Sequence, residues 1–394
     1  IGLQPKMPTY SGGLGVLAGD TLRAAADLSI PMVGISLLHR KGYFRQNLDE
    51  YGNQTEHPFD WEPSDYLEPI LHTVNIEIEG RCVKIRPWSY LIRGIKGFIV
   101  PVYLLDTQVE GNSDYHSSLT DYLYGGDQYY RLCQEAVLGL GGMAVLRRIG
   151  LKDVQAYHMN EGHSALLGLA LLEEILEKRP LAQTQPDDLD KVKKKCIFTT
   201  HTPVPEGHDK FPFDFVRRIL GEEKAGFLST TQANIDNSLN MTSLALIFSW
   251  YVNGVSHRHE LISQNMFPEY PINSITNGVH ALTWTSEPFK KLYDQHIEQW
   301  RDDSLYLRYA INIPINEILK THAEAKRLLI EEVKKRTGFA LSENVLTIGF
   351  ARRATAYKRI NLIFSDIQRL RQIHRNSGPL QIIFAGKAHP RDEK

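Results

Sequence analysis

The sequence predicts an α/β protein built on parallel, helix-covered sheets. Several short runs rich in β-branched residues and leucine read as buried strands, and helical periodicity separates most of them. Polar side chains gather directly after those runs, where open parallel sheets bind their ligands.

Taken in order, "PTYSGGLGVLAGDTLRAAADL" (8–28) sets Gly12, Gly13 and Gly15 at the start of a helix whose apolar residues are Leu14, Leu17, Leu22, Ala25 and Leu28. A strand is expected in "PMVGISLL" (31–38). Residues 73–94 read as a local hairpin turning near Gly80, and "GFIVPVYLLD" (97–106) as the next strand. "AVLGLGGMAVL" (136–146) is apolar, yet too short and too glycine-broken to span a bilayer. Strands follow in "DVQAYHM" (153–159), "KCIFTTH" (195–201) and "INSIT" (272–276), with a helix in "SALLGLALLEEILEK" (164–178). A long charged helix over 316–336 precedes a boundary expected near residue 340. The strands "VLTIGFA" (345–351) and "LQIIFAG" (380–386) then open a second Rossmann-like domain. The expected domains are therefore 1–340 and 341–394. Because one βαβ unit is too little to fold alone, the chain is expected to be truncated there, and its opening on Ile1 rather than Met points to a missing N-terminal piece.

Bulk composition narrows the function. With 45 basic and 46 acidic residues, no global charge draws the chain to nucleic acid or to a membrane surface. Three scattered cysteines, Cys82, Cys133 and Cys196, argue against a disulfide scaffold and fit a reducing cytoplasm. No signal peptide is visible.

The strand ends carry the chemistry. Asn160–Glu161–Gly162–His163 follow one strand, and Thr200–His201–Thr202–Pro203, with Glu206 and His208 soon after, follow another. Thr276–Asn277–Gly278–Val279–His280 follow the third, while Arg352–Arg353, Tyr357–Lys358–Arg359 and Lys387 follow the last two. Asn and His suit sugar hydroxyls, each both donor and acceptor, whereas clustered arginine and lysine at a helix start suit phosphate oxygens. Singly, each has a plainer reading as a cap or turn residue, and "RRATAYKR" as a solvated basic helix start. Together they predict one polar cleft, neutral on one side and cationic on the other.

Gly13-x-Gly15-x-x-Ala18 formally satisfies a dinucleotide fingerprint, but Pro5 and Pro8 exclude the buried strand it needs. No acidic residue stands about twenty positions on to hold a ribose. What survives is an anion cradle leading into a helix, or a tight turn where two backbones pass. "HMNEGH" and "HRHE" lack zinc-helix spacing, and no G-x-S-x-G elbow supports a serine triad. Lone histidines such as His57 and His72 read as structural.

Nine segments now form an ordered pattern: "PTYSGGLGVLAGD", "GYFRQ", "YRLCQEAVLG", "YHMNEGHSALL", "FTTHTPVPEGHDKFP", "VNGVSHRH", "ITNGVHALTW", "GFARRATAYKR" and "FAGKAHP". In them the chain resembles the α-glucan (glycogen, starch and maltodextrin) phosphorylases, especially their shorter bacterial and archaeal branch. The resemblance implies a GT-B arrangement of two facing Rossmann-like domains. It implies retaining phosphorolysis of an α-1,4-glucan or maltooligosaccharide by orthophosphate to glucose 1-phosphate, with pyridoxal phosphate acting through its phosphate group. It also implies residue roles. Gly12 and Gly13 lie in the loop against substrate and cofactor phosphates, and His201 and Asn277 hold outer hydroxyls of the reacting glucose. Tyr357 lies near the 2-hydroxyl. Arg353 and Lys358 bind the substrate phosphate, and with His201 make up the expected catalytic set. Glu161 aligns with a carboxylate of the cleft that is often aspartate in the family. Trp284 and Arg352 fall where the cofactor is contacted, Arg352 replacing a lysine of some relatives.

The resemblance also places the cofactor's Schiff-base lysine beyond residue 394; no lysine present, Lys394 included, has the matching context. The chain as it stands is thus expected neither to hold pyridoxal phosphate covalently nor to turn over. Family members are commonly dimers, so a homodimer is open. Two alternatives share some of these features: a nucleotide-sugar-dependent glycogen or starch synthase, and a non-catalytic glucan-binding fragment.

Overall fold

In the computed structural model, residues 1–59, 61–355 and 358–388 are described. The chain is mixed α/β with parallel sheets. It packs as two compact units, one of Ile1–Phe44 and Pro58–Gly278, the other of Arg45–His57 and Val279–Lys394.

In the first unit, the helix Gly13–Asp27 leads into the strand Gly34–Leu37, which pairs in parallel with Ile99–Asp106. Residues 73–94 do form an antiparallel hairpin, Val74–Ile78 against Arg81–Arg93, turned by Glu79 and Gly80 at positive φ. It is not merely local, however. Arg81–Arg93 continues far enough to pair antiparallel with the whole of Ile99–Asp106, so this sheet is mixed. Val83, Ile85, Val100, Val102, Leu104 and Leu105 are fully buried in it.

A second sheet is wholly parallel, in the order Ile272–Ser274, Tyr251–Gly254, Cys196–Thr199, Tyr157–Asn160. Tyr251–Gly254 joins the three strands the pattern had predicted. The apolar stretch 136–146 is a buried helix that passes through one π-turn at Val137–Gly141. Its glycines permit close packing. A Cβ on Gly139 would fall 2.7 Å from Leu166 Cβ, and one on Gly141 would fall 2.4 Å from Ile85 Cδ1. Among the described residues no helix is long and apolar enough to cross a membrane.

The second unit holds a parallel pair, Leu346–Ala351 with Leu380–Ala385, connected through the helix Ile367–Ser377. The 23-residue helix Ile315–Thr337 ends on Gly338 in the left-handed conformation. It packs on Glu287–His296, with Ile318 against the cluster of Leu292, Ile297, Trp300 and Ile313. Lys326 Nζ, donating to the carbonyls of Glu343 and Val345, ties this helix to the start of the parallel pair. An antiparallel hairpin, Arg45–Leu48 with Gln54–His57, belongs to this unit as well.

Candidate functional site

The parallel sheet of the first unit brings four polar segments to one edge. In register, Asn160 lies beside Thr199, Thr199 beside Asn253, and Asn253 beside Asn273. Each chain therefore leaves the sheet at the same level, and the next residues form one surface. Glu161, His201, Val255 and Ile275 are the first residues past, or one step past, that row.

Glu161 organises it. Its Oε2 accepts from the His201 backbone N–H at 2.8 Å and from Thr202 Oγ1 at 3.0 Å, while Oε1 accepts from the Gly162 N–H at 3.0 Å. The residue stands at φ +85°, a left-handed value costly for a side chain with a Cβ. His201 is fixed from its other end, since Nε2 meets Asn160 Oδ1 at 2.7 Å. An amide oxygen only accepts, so Nε2 carries the proton and Nδ1 is left as an acceptor. Next along, His158 Nε2 bonds Thr199 Oγ1 at 2.8 Å, and that hydroxyl donates to Asn253 Oδ1 at 3.0 Å.

Two buried atoms at this edge have no hydrogen-bond partner among the described residues. The Val255 N–H donates to His259 Nδ1 at 3.2 Å, which puts the His259 proton on Nε2. That Nε2 is buried without a hydrogen-bond partner among the described residues, and so is the Thr200 hydroxyl on the adjoining strand. Buried polar atoms are ordinarily satisfied, so such a pair marks a place a polar ligand can complete.

The loop carrying His201 is braced from behind. Arg131 grips Asp209 with two bonds, 2.8 and 2.7 Å, and lies 3.5 Å from the buried Glu135. Burial first, then the neighbouring Asp209, hold the Glu135 carboxyl well above its ordinary range. His208 Nε2 donates to the Thr202 carbonyl at 3.2 Å and stacks on Phe267.

Burial also favours the neutral form of His201, His39, His158 and His163. It pushes His201 down to about 4 against a raising effect from Glu161, takes His39 down to about 3, and lowers His158 and His163. Each folded pKa lies below the unfolded 6.5, so the unfolded chain binds more protons in that window. Stability is therefore expected to fall as pH drops from about 6.5 towards 4. Calorimetric Tm values across that range should show a slope that His201→Asn makes shallower. An unchanged slope in the variant would remove His201 from the account.

Gly12 and Gly13 stand at the N-terminus of Gly13–Asp27. Gly12 takes φ +72°, and no side chain caps the helix's first N–H groups. A Cβ on either glycine would meet nothing within 4 Å, so the backbone there faces open space rather than a packed turn. Asn277, exposed, sits on the segment past Ile272–Ser274, its N–H bonded to the Val255 carbonyl at 3.1 Å.

The structure thus brings His201, Glu161 and Asn277 to one sheet edge. Arg352, Arg353, Lys358 and Trp284 belong to the second unit. Arg352 and Arg353 are exposed and follow Leu346–Ala351 directly; Lys358 is half-buried in the next turn. Trp284, 57% exposed, ends the short helix Ala281–Trp284. Tyr357 lies outside the described residues. Asn253 and His259 were not singled out by sequence reasoning, and Asn160 and Thr202 were named only among the residues that follow the strands. Their signal was present in "YHMNEGH", "THT" and "VNGVSHRH", but only the strand register shows that they meet. Among the described residues no group of His, Cys, Asp and Glu could hold a metal ion.

These features can be set beside known proteins. The family model for carbohydrate phosphorylase matches residues 221–393. Over its full length the chain is 38% identical to the maltodextrin phosphorylase of Thermococcus litoralis, of which it covers 50%. It is 33% identical to the glycogen phosphorylase of Aquifex aeolicus, aligning 99% of its own length with 62% of that protein. A glycogen phosphorylase of Mycobacterium tuberculosis is 32% identical, with 100% of this chain and 51% of the relative aligned. The chain thus spans between 50% and 62% of the length of these relatives.

Proposed function

The chain belongs to the carbohydrate phosphorylase family, and from that premise we propose that the intact protein cleaves α-1,4-glucan ends with orthophosphate, releasing α-glucose 1-phosphate. The observation that carries this reading is the sheet edge with its neutral His201, its oriented Asn160 and its two unpartnered polar atoms at Thr200 and His259. The imidazole, amide and hydroxyl groups of this edge offer neutral donors and acceptors, as sugar hydroxyls require.

In this reading the terminal glucose of an α-1,4-glucan or maltooligosaccharide is held through His201 and Asn277, with His201 Nδ1 accepting from a hydroxyl. Arg353 and Lys358 bind orthophosphate by charge-assisted bonds, and Tyr357 lies against the sugar. Gly12 and Gly13 present uncapped helix N–H groups to an anion, with room for it to approach. Gly13 in the first unit, and Arg352 and the exposed Trp284 in the second, are each proposed as contacts of pyridoxal phosphate. The chemistry that pyridoxal phosphate would supply, if held by these residues, is an acid–base phosphate group. The protein's part is to orient sugar and anion and to stabilise developing charge, so no carboxylate pair of the glycosidase kind is needed. The fold we propose for the intact protein is GT-B, with two Rossmann-like domains.

The decisive assay uses full-length protein with maltooligosaccharide and either orthophosphate or a nucleoside diphosphate glucose. Glucose 1-phosphate formed only with orthophosphate, as the α-anomer by NMR, is the expected result. Turnover that requires the nucleotide sugar overturns the reading in favour of a synthase. Calorimetric glucan binding without product overturns it in favour of a binding protein.

A further inference from the structure

Residues 45–57 carry two glutamines that local sequence gives no reason to single out. "RQNLDEYGNQTEH" folds as a tight hairpin, its turn closed by Asp49, which accepts from the Tyr51 and Asn53 N–H groups at 2.9 and 2.8 Å. The register sets Gln46 opposite Glu56 and Leu48 opposite Gln54, so all four share one face of the ribbon. On that face Gln46 Nε2 donates to Gln54 Oε1 at 2.8 Å.

Further bonds of both amides reach a backbone segment more than 330 positions away. Gln46 Nε2 donates to the Gly386 carbonyl at 2.9 Å. Gln54 bonds both sides of one peptide residue, with Nε2 donating to the Ala388 carbonyl at 3.1 Å and Oε1 accepting the Ala388 N–H at 3.0 Å. The second hydrogen of Gln54 Nε2 goes to Glu56 Oε1 at 2.5 Å. Both glutamines thus spend every donor, and Gln54 Oε1 accepts twice.

The segment they hold is the one that sets the basic strand ends. Its other edge is laced to 352–354: the Arg352 N–H donates to the Ala385 carbonyl at 3.0 Å and the Ala354 N–H to the Lys387 carbonyl at 2.9 Å. Ala354 and Ala388 form a parallel bridge beyond the paired strands. Gly386 allows the approach, since a Cβ there would lie 1.9 Å from the Arg352 carbonyl oxygen. Carbonyls 385 and 387 therefore face the arginine segment while carbonyls 386 and 388 face the glutamines. The amides take the place of a neighbouring strand on an edge that would otherwise be open.

We infer that Gln46 and Gln54 are positioning residues for the anion site, fixing 386–388 and through it the backbone of Arg352 and Arg353. The inference rests on the phosphorolysis reading, in which those arginines face phosphate. Neither glutamine touches substrate in this account; each acts through two backbone segments.

The test uses full-length protein with orthophosphate and maltooligosaccharide varied separately. Gln54→Met and Gln46→Met keep side-chain length and remove the amide bonds. Each is expected to raise the orthophosphate KM about five- to tenfold, the effect of losing about one hydrogen bond's worth of placement, with the glucan KM unchanged. Gln54→Glu, which sets a carboxylate oxygen against the Ala388 carbonyl, should do more than Gln54→Met. Tyr51→Ser at the exposed hairpin tip should leave both constants at the parent values. Unchanged phosphate KM in both methionine variants overturns the inference, as does an equal rise in the two KM values, which marks a general structural role. If the parent enzyme itself shows no dependence on orthophosphate, it is the phosphorolysis reading that fails. Orthophosphate binding by calorimetry gives a second readout: weaker binding by Gln54→Met at parent Tm supports the inference, and equal binding overturns it.

Discussion

Lys358→Ala in the full-length protein is expected to cut phosphorolysis about 10²–10³-fold, the usual cost of removing one preorganised donor from developing charge. The orthophosphate KM should rise in the same variant, while the glucan KM stays near the parent value. The argument starts from the strand Leu346–Ala351, whose carboxyl end delivers Arg352 and Arg353 and then a turn in which the Lys358 N–H bonds the Thr355 carbonyl at 3.0 Å. Three cations, Arg352, Arg353 and Lys358, fall within seven residues, a cluster that suits a doubly charged anion. Lys358→Arg keeps the charge but replaces a compact ammonium by a planar fork, so partial recovery is expected. Initial rates over a series of phosphate concentrations measure both constants at once. Parent-like turnover in Lys358→Ala would place the phosphate elsewhere.

What the sequence shows and what it hides follows from the range of the interactions. The strands after which His201, Glu161 and Asn277 fall were legible because buried parallel strands leave runs such as "KCIFTTH", and the turn at Gly80 was legible because it is local. Tyr251–Gly254 was not. Asn253 and Gly254 depress strand propensity, and they are present for tertiary reasons. The Asn253 amide receives Thr199 and donates to the Gly254 carbonyl, and a Cβ on Gly254 would sit 3.0 Å from His259 Nδ1. The helix Ile315–Thr337 was visible from its period, but not the unit it joins, because that depends on which partner covers one face. The Gln46 and Gln54 bonds to 386–388 lie wholly beyond local pattern, since two polar residues in a short polar hairpin look like any solvated turn.

Glu161→Ala is the second large effect, and its form separates two roles for this carboxylate. The resemblance sets Glu161 among the carboxylates of the cleft, yet three of the roughly four lone-pair positions of a carboxylate are already taken by Gly162, His201 and Thr202. Its first task is therefore to hold the loop that carries His201. Alanine removes three charge-assisted bonds and keeps the strained backbone at φ +85°, so a loss of about 2–3 kcal/mol of stability is expected. The glucan kcat/KM should fall about 100-fold as His201 loses its register, on the scale expected when a positioning group is displaced. Glu161→Gly loses the same bonds but accommodates the left-handed backbone, so it should be more stable than Glu161→Ala by about 1 kcal/mol. Glu161→Gln keeps the shape with a single acceptor oxygen for three donors, so stability and glucan kcat/KM should drop together. Denaturant unfolding and initial rates on the three variants decide the matter. Should Glu161→Gln lose activity at parent stability, the carboxylate meets the sugar directly and the loop-holding role is secondary. A coupled fall instead makes the strained glutamate the peg on which the imidazole of His201 is hung.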